Sequence, residues 1–129
     1  MTRIAQFAVA AAAAFTAPAC LAAAAAGAGS AVYLTTRGAE AMVQGQPADL
    51  AARIEAALGR HSVSVTDTGT EDGGDKRTWQ GTAGELTVSV TAERESPTTS
   101  KVEVTARKNV ADWDKDFAER ILQDIVGGN

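Results

Sequence analysis

Two stretches in the second half of the chain alternate strictly between apolar and polar residues. From Glu85 to Glu93, Leu86, Val88, Val90 and Ala92 fall on one side, and Thr87, Ser89, Thr91 and Glu93 on the other. Lys101 to Arg107 repeats the pattern with Val102, Val104 and Ala106. A period of two is that of a strand, and one apolar face opposite one polar face marks an antiparallel sheet covered on a single side. The connections agree, since Thr82-Ala83-Gly84 and Ser96-Pro97-Thr98-Thr99 are short and hairpin-like.

Further strand signals precede these. Ala31 to Leu34 reads as a short strand, Arg37-Gly38 as a turn, and Ala39 to Val43 as a second strand alternating around Glu40. His61 to Thr66 alternates around Val63 and Val65, and Lys76 to Thr82 carries Trp79. Two segments have helical spacing instead. Pro47 suits the first position of a helix, where its missing N–H costs nothing, and Asp49 favours the same positive end. Leu50, Ile54, Ala57 and Leu58 then share one face, with Gly59 as a left-handed cap. Near the end of the chain, Asp112 reads as an N-cap. Trp113, Phe117, Ile121 and Ile125 recur every four residues, with Leu122 and Val126 beside them, and Gly127-Gly128 stop the run. Two amphipathic helices packed on one face of an antiparallel sheet make an α+β two-layer sandwich spanning residues 31–129.

The N-terminus has a different character. Arg3 supplies a positive start, and Ile4 to Phe15 is uncharged and largely apolar, the length of a signal-peptide core. Ala17-Pro18-Ala19-Cys20 follows, with small residues where a signal peptidase reads. Residues 1–19 are therefore expected to be an export signal, and 20–30 an Ala/Gly-rich tether. Cys20 is the only cysteine, which excludes an intramolecular disulfide framework. In an oxidising compartment a lone thiol at the cleavage point reads as a lipid-attachment site. Ordinary cleavage at an Ala-x-Ala site is an alternative that yields a soluble periplasmic or secreted protein. An uncleaved span is a third reading, because residues 4–34 carry no charge, although alanine is only weakly hydrophobic. With 12 Lys and Arg against 16 Asp and Glu, the net charge of −4 disfavours a nucleic-acid partner, whose binding energy comes from neutralising phosphates.

The order of features resembles a family of small bacterial lipoproteins catalogued as domain of unknown function 3568. The matching features are the Cys20 box, the Ala/Gly run, the Tyr33 strand, the Pro47–Leu58 helix, the Thr78-Trp79-Gln80-Gly81-Thr82 strand, the alternating Glu85–Glu93 strand and the closing helix. The box departs from the usual pattern, with Ala17 where leucine is common and Pro18 after it. The resemblance implies a membrane-anchored envelope protein. It carries over no functional residue except Cys20, and no cofactor.

Catalytic signatures are weak. Asp67-Thr68-Gly69 after a strand resembles the active-site loop of aspartic proteases, in which two aspartates share a proton and one chain of a dimer supplies each. Thr66 stands where an apolar residue normally precedes that aspartate, and a turn running into the acidic loop Glu71–Asp75 is the simpler expectation. Asp112, Asp114 and Asp116 have the spacing that opens a calcium loop, but Phe117 and Gln123 occupy the positions requiring Gly and Glu. His61 is the only histidine, so no second imidazole joins it in a metal site. Trp79 is expected in the core, while an exposed Trp79 on the open face would mark a partner-binding patch. The sequence thus points to a non-enzymatic binding or structural module in the cell envelope. Its expected partners are the membrane, through a lipid, and an envelope protein or ligand, with no metal or cofactor.

Overall fold

The computed structural model describes residues 31–127. Cys20, the leader and the tether lie outside them. The elements run β1 (Val32–Leu34), β2 (Gly38–Gln44), α1 (Pro47–Arg60), β3 (Ser64–Glu71), a 3-10 turn (Asp72–Gly74), β4 (Lys76–Ala83), β5 (Leu86–Ser96), β6 (Thr99–Asn109), β7 (Asp112–Trp113) and α2 (Lys115–Gly127). The sheet is antiparallel throughout, in the order β1-β2-β6-β5-β4-β3, with β7 added beside β6. The fold is the α+β sandwich expected from the alternation. β3 to β6 form a meander that returns to β2, and α1 crosses the sheet to connect β2 with β3.

The register places the apolar residues in rows. Trp79 lies opposite Val90, Val90 opposite Val104, and Val104 opposite Ala39. Ala92, Val102 and Ala41 form the next row, and all of these residues are buried. On this face α2 covers β1, β2 and β6, while α1 covers β5, β4 and the near end of β3. Leu50, Ile54, Ala57 and Leu58 from α1 meet Ala118, Ile121, Leu122 and Ile125 from α2 in one core, all essentially inaccessible to water. The small Ala39, Ala41, Ala92 and Ala106 let the helices approach where larger residues would hold them off. Among the described residues Ser100 is the one buried polar side chain of the core face, and its hydroxyl donates to the Gly45 carbonyl (2.8 Å).

Two arginines of α1 tie the helices together. Arg60 makes two 2.9 Å bonds to the Asp124 carboxylate. Arg53 donates to the Ile125 carbonyl at 2.7 Å, satisfying an acceptor left open by the end of α2. Among the described residues no helix lies on the opposite face of the sheet. That face presents Thr78, Ser89, Thr91 and Thr105, and a row in which charge alternates from Lys101 to Glu93 to Lys76 to Glu71. Such cross-strand pairs of opposite sign favour this register.

Local expectations change in three places. Asp112 is not an N-cap: it lies in β7, paired with Asn109 of β6, and the helix starts three residues later, at Lys115. Asp114 takes the capping role, accepting the Phe117 N–H at 3.0 Å while its own N–H donates to the Ala106 carbonyl. α1 runs past Gly59 to Arg60, with His61 as its C-cap, and the left-handed residue is Ser62 (φ 61°). Asp67-Thr68-Gly69 is not a turn but lies inside β3, paired with Gln80, Trp79 and Thr78. β3 lengthens because the hairpin closes at Asp72–Gly74, where Asp72, Gly73 and Gly74 take positive φ.

Candidate functional site

β2 and β7 lie on the same side of β6, one after the other. β2 pairs with β6 up to Gly38 opposite Thr105, and β7 resumes with Trp113 opposite Arg107. Arg37, just outside β2, stands at the break between them. Its guanidinium is 5.4 Å from the Trp113 ring centre, and that of Arg107 is 5.7 Å away. Both distances suit cation–π contact. Neither arginine has a carboxylate within ion-pair distance among the described residues.

Half-buried Trp113 also lines a cleft of ≈ 450 Å³, bounded by Leu86, Lys108, Asp112, Asp114, Lys115 and Asp116. Local geometry builds this corner. The Asn109 side chain accepts the Ala111 N–H (3.0 Å), turning the chain back so that Asp112 and Trp113 pair with β6. Asp114 then caps α2 and fixes the direction in which Lys115 and Asp116 leave. The corner thus offers two guanidiniums on an aromatic plane beside a wall of mixed charge. That arrangement suits a polar ligand bearing a carboxylate or phosphate.

The residues singled out from sequence are not brought together. Asp67 is exposed on the polar side of β3, opposite Gln80. Asp112, Asp114 and Asp116 diverge into a strand residue, a cap and a first-turn residue, and no group of three possible metal ligands occurs among the described residues. His61 places Nε2 3.2 Å from the Asp124 carboxylate and its ring edge-on to Phe117, a role in helix packing. The Arg60 hydrogen bonds, with help from the nearby charges, hold the Asp124 carboxyl below its ordinary value. Trp79 is buried, its Nε1–H donating to exposed Glu55 at 3.1 Å, so it marks no surface patch.

By sequence alone Arg37 reads as a turn residue, Arg107 as the end of an alternating strand and Trp113 as part of a helical stripe. Asn109 was the available signal, since an Asx turn there shortens the helix and returns the chain to β6. The chain matches no protein-family model, no curated protein and no solved structure.

Proposed function

We propose that this protein is an exported envelope lipoprotein, anchored through Cys20, whose folded domain is a binding module for a polar ligand carrying an anionic group. The observation that carries the binding reading is the Arg37–Trp113–Arg107 cluster, whose Trp113 also lines the mixed-charge cleft. Two guanidiniums held at an aromatic plane keep their donors free for an incoming carboxylate or phosphate, while Lys108, Lys115 and Asp112 can contact its polar body. Anchoring is supported by the export-signal pattern, by the single cysteine at its cleavage point and by the resemblance to lipoproteins of unknown function 3568. No helix among the described residues is long and apolar enough to cross a membrane.

The anchor is tested by radioactive palmitate labelling of the wild type and Cys20→Ala. Label in the first alone supports it, and label in both or neither overturns it, the latter in favour of ordinary cleavage. The binding site is tested through the two indole N–H resonances of the protein during titration with envelope carboxylate and phosphate compounds. Movement of the Trp113 signal alone, abolished in Arg37→Ala/Arg107→Ala, is the expected result. Shifts that persist in that double variant would refute the site.

A further inference from the structure

The cleft beside Trp113 holds charges of both signs that do not neutralise one another. Asp114 is committed to the Phe117 N–H. Asp112, Asp116, Lys108 and Lys115 border the same ≈ 450 Å³ of space, yet none of them is in an ion pair among the described residues. Lys108 is placed there by a bulge. From the Arg107–Trp113 pair to the Asn109–Asp112 pair, β6 advances two residues and β7 only one, so Lys108 is the extra residue. Such bulges re-aim a side chain and recur next to active sites. We infer that the ligand of this corner is a zwitterion, a short peptide with a free ammonium group and a free carboxylate. This rests on the anion-binding reading of Arg37, Arg107 and Trp113 and adds a second charge to it.

Charge selects this class over its neighbours. A ligand with negative groups alone gains at Arg37 and Arg107, but its far end meets Asp112 and Asp116 in the cleft. A ligand with positive groups alone leaves both guanidiniums without a partner and meets Lys108 and Lys115. A zwitterion satisfies both ends. Its carboxylate accepts from the guanidiniums, and its ammonium donates to Asp112 and Asp116. Trp113 belongs to both the cationic cluster and the cleft, so the two are contiguous and the ligand's backbone lies along the indole. Lys108 and Lys115 donate to its carbonyl oxygens, and half-buried Leu86 offers one apolar wall to a side chain. A cleft of ≈ 450 Å³ falls in the lower part of the range of about 300–1,000 Å³ that holds small ligands, which suits a peptide of a few residues.

Trialanine with free termini, its N-acetyl form and its C-terminal amide are the probes, with affinity read from the Trp113 indole resonance. The free peptide should bind about tenfold or more tightly than the N-acetyl form, the loss expected when a charge-assisted contact is removed. In Asp112→Asn/Asp116→Asn that preference should vanish while the N-acetyl form binds as it does to the wild type. An unchanged circular dichroism spectrum shows that this variant folds. Equal binding of the free and N-acetyl peptides, a preference that survives in the double variant, or no binding of trialanine up to the millimolar range would each overturn the inference. The amide separates the two readings. If it binds as tightly as the free acid, the anion reading falls, whereas equal binding of the N-acetyl form removes only the zwitterion.

Discussion

Trp79 tests whether packing or polar anchoring holds the α1 side of the sandwich. It is 2% exposed, lies opposite Val90 in the core row, and sends its indole N–H to Glu55. Burying a tryptophan removes about 150–250 Å² from water, which at ~25 cal/mol/Å² is worth roughly 4–6 kcal/mol. Part of that surface is already hidden in the unfolded chain. Trp79→Ala should therefore cost about 4 kcal/mol, inside the range of about 3–5 kcal/mol for such truncations. The hydrogen bond contributes less. Glu55 is exposed and rehydrates once released, so the net value is about 1 kcal/mol. Glu55→Ala should cost no more than that, and Glu55→Gln, which keeps an acceptor, close to nothing. A domain of this size is stable by roughly 5–15 kcal/mol, so Trp79→Ala consumes a large share of the total. Urea unfolding followed by far-ultraviolet circular dichroism measures all three, with the alanine variant lowering the midpoint by about 2 M or more for a slope of about 1–2 kcal/mol/M. If Glu55→Ala were as damaging as Trp79→Ala, the packing argument would be refuted.

Three further outcomes are expected. The Asp124 carboxyl titrates below its ordinary value because Arg60 holds it charged, so its contribution is present above the unfolded-state pKa and is lost as pH falls through the folded one. The unfolding midpoint of the wild type should thus fall below about pH 4 more steeply than that of Asp124→Asn. Asp114→Ala removes the cap of α2 and should cost about 1 kcal/mol in chemical denaturation, whereas Asp112→Ala should change stability by a few tenths at most. A side chain at Gly81 would meet the Ser64 carbonyl across the β3–β4 pair, so Gly81→Ala should loosen that hairpin. Amide hydrogen exchange should show faster exchange in β3 and β4, with β6 unchanged.

The legible parts of the fold were those with a period. Leu86 to Ala92 and Val102 to Ala106 alternate, and the core face of β5 and β6 is that alternation. Leu50, Ile54, Ala57 and Leu58 recur at helical spacing, and α1 buries those residues. Where two structures were compatible with the residues, long-range pairing decided between them. Trp113 continues the four-residue spacing of Phe117, Ile121 and Ile125, yet it pairs with Arg107 because the Asn109 turn brings it back to β6. Asp67-Thr68-Gly69 has turn composition, yet β4 offers it a partner strand.

The chain's own order of residues determined a one-sided antiparallel sheet and two amphipathic helices. These follow from local periodicity and composition, which act over a few neighbouring residues. Only the tertiary structure decided the strand order, the burial of Trp79, the convergence of Arg37, Arg107 and Trp113, and the open edge at β3. Each of these depends on which distant segments become neighbours. That choice is settled when α1 carries the chain across the sheet and the β3–β6 meander returns to β2, because one core must bury every apolar face at once.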